Sequence, residues 1–154
     1  MGLLERAKEA QLADVKAALQ KASQQEAMQK NVEEAAKNAV AVPYSKTVEL
    51  FTQAIHELDH ADFQAQIVEG VHENGVVVLK LVIQSPGQRG AEELGHFKCE
   101  INRNQQVGVT ADISKPSSAR KPGERKYGQL GYLAADKEVR MLEDWLVDFL
   151  KDII

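Results

Sequence analysis

Residues 56–60 have the sequence His-Glu-Leu-Asp-His, a short pattern that binds catalytic zinc when it lies on a helix. In such a site the two imidazoles lie one turn apart and ligate Zn²⁺, and the glutamate beside them acts as a general base. The sequence therefore offers a zinc-dependent hydrolase as one hypothesis. In that hypothesis His56 and His60 are the ligands and Glu57 is the base.

Two features of the sequence weaken the zinc hypothesis. Catalytic zinc needs a third protein ligand, and the spacing selects none among His72, His96 and Cys99. On a helical projection the apolar residues of this segment lie on one side and both histidines on the other, toward solvent. We therefore expect no cofactor and a histidine pair on the solvent side of a helix, with zinc as the alternative.

A second candidate site is the basic segment 115–126, whose Pro, Gly and Ser residues are typical of a loop. Five basic residues and one glutamate give it +4, and the total of −4 then leaves −8 for the rest of the chain. Such a loop can contact an acidic partner protein, the acidic helix near the carboxyl end, or phosphates. We favour a protein partner, with weak nucleic-acid or phosphate binding as a second alternative, because Tyr127 is a poor resource for stacking bases. The candidate partner-binding residues are Arg120, Lys121, Arg125 and Lys126.

Cys99 is the one cysteine of the chain. It alternates with Phe97 and Ile101 along a predicted strand, so we expect it to lie in the core rather than act as a nucleophile. A single cysteine forms no internal disulfide, which favours a reducing compartment and a cytoplasmic location. No signal-peptide pattern and no apolar segment of about 18 residues is present, so we expect no targeting peptide and no membrane contact.

Residues 3–42 contain neither glycine nor proline and are rich in Ala, Gln, Glu and Lys, which predicts helix. Ser23 and Glu26 have the spacing of a capping box, so two helices are an alternative to the single helix that we favour. The apolar stripe is narrow and rich in alanine, so it needs a second surface, which we expect to be another copy in a symmetric homodimer. The predicted self-association residues are Leu12, Val15, Leu19, Met28 and Val32, with Ala22, Ala35 and Ala39 completing the stripe.

Residues 43–154 are predicted to form a domain of their own, separate from the helical segment 1–42. Pro43 ends that segment, and Thr47 is the predicted N-cap of a helix through about Ala61. The strongest amphipathic pattern of the chain predicts a terminal helix over residues 134–151.

Strands are predicted between these two helices. Asn74-Gly75 predicts a two-residue type I′ hairpin that pairs Val71 with Val78 and Glu69 with Lys80. Alternating segments at 96–103 and 107–113 predict two more strands, and the polar stretch 114–131 is predicted as a loop. The expected class is α+β: a long N-terminal helical segment, one helix, a four-stranded antiparallel meander, and a C-terminal helix packed on the sheet.

Composition limits the classes of function. The 154 residues are 44% hydrophobic and 27% charged, which excludes wholesale disorder and collagen-like repeats. Aromatic residues make up only 5%, and with the net charge of −4 this argues against a surface devoted to nucleic acid. Because no convergent catalytic set is visible, we favour a non-enzymatic protein-interaction module that self-associates through its N-terminal helix, such as an adaptor, an inhibitor or a chaperone-like subunit.

Overall fold

The computed structural model describes residues 2–85, 92–116 and 121–154. The chain divides into two compact units, Met1–Ala35 and Ala36–Ile154. The elements are α1 (Leu3–Ala39), α2 (Ala41–His60), β1 (Gln64–Val71), β2 (Val77–Gln84), β3 (Glu93–Ile101), β4 (Val107–Ile113), β5 (Gly123–Leu130) and α3 (Asp136–Ile153). The predicted α+β class is confirmed.

Helix α1 runs without a break through Ser23, and none of its residues is buried. Its continuity follows from composition, because ten alanines and no glycine or proline lie between Leu3 and Ala39. The unit Met1–Ala35 is this helix alone, so its order comes from backbone hydrogen bonds and local propensity rather than from a core.

Helix α2 begins earlier than predicted. Val40, with φ −121° and ψ 34°, separates it from α1, and Pro43 lies in its first turn. Proline is tolerated there because the first amides of a helix have no intrahelical acceptor. Thr47 is therefore not an N-cap: it is buried inside the helix, and its Oγ1 donates a hydrogen bond to the Pro43 carbonyl oxygen at 2.8 Å.

The sheet has five antiparallel strands in chain order, one more than predicted. The additional strand, β5, lies in the stretch 114–131 that we predicted as a loop. The sequence of β5 does not show the alternation of apolar and polar residues that is typical of a strand. The reason is that a charged residue, Arg125, lies on the covered side of the sheet, paired with Ala111 of β4. A register shift between Val109 and Thr110 further interrupts the pattern.

The hairpin between β1 and β2 also differs from the prediction. Its loop has three residues rather than two: His72 donates its N–H to the Val76 carbonyl at 2.9 Å, and Gly75 donates to the His72 carbonyl at 2.9 Å. Gly75, at φ 80°, supplies the left-handed residue that such a loop requires. Val71 therefore pairs with Val77, and Glu69 pairs with Leu79 instead of Lys80. A slip of one residue moves Glu69 to the opposite face of the sheet.

Helices α2 and α3 both pack on one face of the sheet and enclose the core. Phe97 lies near its centre, with ring centroids 5.9 Å from Phe51 of α2 and 5.5 Å from Phe149 of α3. The other strand residues of the core alternate along β3 and β4 as predicted, and along most of β2 as well. The fully buried strand residues are Val77, Leu79, Leu81, Ile83, Phe97, Cys99, Ile101, Val107, Val109, Ile113 and Leu130.

Candidate interaction site

Helix α1 exposes the largest apolar side chains of the unit Met1–Ala35. Leu12 is 61% exposed, Val15 56% and Leu19 66%, while Met28 and Val32 are equally open to solvent. Scattered single apolar residues on a surface are normal, but a series at helical spacing on one element is typical of a contact surface.

The apolar residues of α1 form two stripes on different faces. At about 100° per residue, Leu12, Val15, Leu19 and Ala22 fall within an arc of about 80°. We call this set the Leu12 stripe. Met28, Val32 and Ala35 form the Met28 stripe, whose centre lies about 150° away around the helix. One straight partner helix therefore covers one of the two stripes and not both.

The zinc-pattern residues lie on the solvent side of α2, where the sequence places them. His56, Glu57 and His60 are all exposed, and the two imidazole centroids are 4.8 Å apart. His56 and Asp59 line a shallow cavity between α2 and the start of β1. Within residues 2–85, 92–116 and 121–154, no group of three or more His, Cys, Asp or Glu side chains is placed to hold a metal ion.

The other residues considered as a third zinc ligand have different surroundings. Cys99 is fully buried in β3, as predicted, and burial raises the pKa of its thiol. The His96 Nδ1 lies 2.8 Å from Glu93 Oε1 within the same strand. The hydrolase hypothesis thus stays a prediction for which the described chain offers a histidine pair and no further ligand.

The basic segment does not form one cluster. Arg120 lies outside the described residues. Lys121 is exposed just before β5, and Lys126 lies on the face of the sheet opposite α3, in register with Thr110. Arg125 points to the covered side instead: its Nη2 donates to the Lys121 carbonyl at 2.6 Å, and its Nε lies 3.7 Å from Asp152 Oδ2. Part of the positive charge is therefore used within the fold, against the acidic terminal helix.

A polar cluster that the sequence did not predict joins the end of α1, α2 and β1. Lys37 Nζ lies 2.6 Å from Glu69 Oε2, and Tyr44 Oη donates to Glu69 Oε1 at 2.5 Å. The hydrogen bond from Lys37, followed by that from Tyr44, lowers the pKa of Glu69. Burial, and then the same carboxylate, raise the pKa of Tyr44 to about 12. The sequence did not predict this cluster, because the predicted register paired Glu69 with Lys80 instead.

None of the helices in the described part of the chain is both long and apolar enough to cross a membrane. In comparisons with known proteins, no family model, no curated protein and no solved structure matches this chain.

Proposed function

We propose that this chain is a non-enzymatic protein-interaction module, of the adaptor, inhibitor or chaperone-like kind, that self-associates through α1 as a symmetric homodimer. The observation that carries the proposal is the combination, in one helix, of no buried residue and an exposed Leu12 stripe. A helix that buries none of its residues gains most from a partner that covers its apolar side.

The Leu12 stripe has a defined end. Beyond Ala22 the same face of the helix continues with Glu26, Lys30 and Glu33, which are charged and spaced to pair with one another along the surface. On its carboxyl side the Leu12 stripe thus ends at Ala22, and residues 12–22 span about 16 Å of helix at 1.5 Å per residue. The length of this stripe favours a short two-helix contact.

The expected affinity is moderate. Burying a Val or Leu side chain contributes about 1.5 to 3 kcal/mol, and three such residues from each copy contribute. The lost freedom of two molecules offsets much of this gain. The balance favours a dimer with a dissociation constant in the micromolar range, which suits a reversible interaction module.

Cys99 and the basic segment bear on two further parts of the proposal, the cellular location and the kind of partner. Cys99 is buried and forms no disulfide within the chain, which supports a cytoplasmic location. Lys121 and Lys126 remain as exposed charges for an acidic protein partner. Nucleic acid is the less favoured partner, because Tyr127 packs against Phe97 and Trp145 and is not free to stack on bases.

Sedimentation equilibrium on the full chain tests the proposal. The wild type is compared with Leu12→Gln/Val15→Gln/Leu19→Gln, and Met28→Gln/Val32→Gln serves as the matched control on the other face. We expect the triple variant to dissociate at least about tenfold more easily and the control to change less than about threefold. A monomeric wild type at about 50 µM, or a triple variant that associates as well as the wild type, contradicts the proposal.

A further inference from the structure

The two edges of the sheet differ in how they are protected from another strand. At β5, Gly123 and Gly128 have φ of 134° and 137°, the register shifts at Val109/Thr110, and Glu124 and Lys126 add charge. Bulges, lysines, prolines and charges on the covered side are the usual means of blocking an edge. Strand β1 has no Lys, Arg or Pro, and its ladder with β2 is continuous. Its one charge on the covered side, Glu69, is already bonded by Lys37 and Tyr44.

The hairpin shows which backbone groups of β1 point outward. His72 donates its N–H to the Val76 carbonyl and accepts the N–H of Gly75, so its N–H and C=O point toward β2. In an antiparallel ladder this direction alternates residue by residue. The even-numbered residues of β1 therefore bond to β2, and the odd-numbered ones point to the outer edge. These are Ala65, Ile67, Glu69 and Val71, and no strand in the described part of the chain pairs with them.

We propose that β1 pairs with β1 of a second copy, antiparallel and centred on Val68, so that the two five-stranded sheets become one. This surface is separate from the Leu12 stripe, and the inference goes beyond the proposed function. Centring on Val68 brings all four outward residues of each copy into hydrogen-bonded pairs, about eight backbone hydrogen bonds in total. Centring on Ile67 leaves Val71 outside these pairs, and centring on Glu69 sets two carboxylates opposite each other.

The side chains of β1 suit this register. On the side away from α2, Val68, which is 44% exposed, lies opposite the same residue of the second copy, and Gln66 lies opposite Gly70. Apart from Gly70 and its chain neighbours, no atom of the described residues lies within 4 Å of where a Cβ would be at Gly70, so this face of the sheet leaves room for the Gln66 side chain of the copy. The one charged residue of β1, Glu69, faces Ile67 of the copy while Lys37 and Tyr44 hold its carboxylate.

The same contact links the edge strand to the last turn of α1. Lys37 is in this turn and is part of the unit Ala36–Ile154, and its ammonium group binds Glu69 of β1. An edge-to-edge pair thus brings the Lys37 side chains of the two copies close to the same two-fold axis. A closed dimer needs all of its contacts to share one axis. The choice of a second copy, rather than an unrelated peptide, as the occupant rests on the proposed α1 homodimer, whose axis this edge pair can share.

Disulfide trapping in the full chain tests the register. Val68→Cys places two thiols in a non-hydrogen-bonded pair, where the Cα atoms are about 4.5 Å apart, within disulfide range. Gln66→Cys is the matched control, since in this register its thiols face Gly70 of the copy. We expect mild oxidation to give a covalent dimer for Val68→Cys, none for Gln66→Cys alone, and a dimer when Gln66→Cys and Gly70→Cys are mixed. The native Cys99 is buried and does not interfere.

The result that overturns the proposal is a Val68→Cys thiol that reacts with a soluble thiol reagent and yet stays monomeric on oxidation. Equal trapping of Gln66→Cys and Val68→Cys overturns it as well. The outcome is distinguishable from that of the α1 test. If the predicted trapping pattern appears and the Leu12/Val15/Leu19 variant associates as well as the wild type, the edge pair is supported and the α1 contact is not. If the trapping pattern is absent and that variant associates more weakly than the wild type, the α1 contact is supported and the edge pair is not.

Discussion

At the scale of single residues, two hairpin loops of the same kind use different residues for the same conformation. Gly75 closes the β1–β2 loop at φ 80°, and Gln105 closes the β3–β4 loop at φ 62°. Both loops have matching hydrogen bonds: Asn102 donates to the Gln106 carbonyl at 3.0 Å, and Gln105 donates to the Asn102 carbonyl at 2.9 Å. Any residue other than glycine is sterically strained in this left-handed region of positive φ.

Gln105→Gly is therefore expected to stabilise the protein. The relief of left-handed strain, about 1 to 2 kcal/mol, exceeds the added chain entropy of glycine, about 0.5 to 1 kcal/mol, so we expect a net gain of about 0.5 to 1 kcal/mol in urea unfolding. Asn104→Gly is the control, because Asn104 has a negative φ and gains nothing from glycine. A loss of stability in Gln105→Gly equal to that in Asn104→Gly would contradict this account.

The Lys37–Glu69–Tyr44 cluster predicts a pH dependence. The folded-state pKa of Glu69 is lowered, so its contribution to stability is present above the unfolded value of about 4.5 and is lost as pH falls through the folded pKa. For Tyr44, the pKa is raised from 10.0 to about 12, so its contribution is present below pH 10 and is lost as pH rises toward 12.

Glu69→Gln should accordingly lower the free energy of unfolding at pH 7 by about 1 kcal/mol, a value kept small because the carboxylate is about one third exposed. The difference from the wild type should shrink as pH falls below about 4.5 and through the lowered folded pKa of Glu69, because protons then bind the unfolded carboxylate in preference to the folded one. Urea titrations of both proteins between pH 3 and 7 measure this. A difference that stays constant over that range is incompatible with the proposed charge interaction.

At the scale of elements, strong and local patterns were predictable from the sequence. The α3 stripe and the alternation in β3 and β4 are continuous runs of apolar residues at the correct spacing, and the structure confirms them. Strand β5 was not predictable, because Arg125 occupies a covered position and its partner Asp152 is distant in sequence. Likewise Glu69 contacts residues 32 and 25 positions away, and a register slip of one residue hides both contacts.

Neighbouring residues of β5 should thus respond differently to substitution. We expect Arg125→Ala to destabilise the protein by about 1 to 2 kcal/mol, because it removes the contact with the buried carboxylate of Asp152 and two bonds to backbone carbonyls. Lys126→Ala, on the opposite face, should change stability by less than about 0.5 kcal/mol. Thermal or urea unfolding measures both, and equal effects at the two positions would show that Arg125 does not anchor β5 to α3.

At the scale of the whole molecule, the chain joins a packed α+β unit to a helix none of whose residues is buried. The sequence was sufficient to predict that helix and its apolar positions, because these depend only on local composition and period. It did not show that the β1 edge is unblocked, since that property emerges from strand order and register. We propose association as the common explanation of both features, because covering either surface with a second copy would lower the free energy.

Amide hydrogen exchange of the wild-type full chain at several concentrations tests association through α1 most directly. Dimer formation is expected to protect the amides of residues 12–22 more at about 100 µM than at about 1 µM, because local opening of the helix then has to break the contact. Amides of residues 28–35, on the other stripe, should change less. Exchange in residues 12–22 that is the same at both concentrations would contradict self-association through α1.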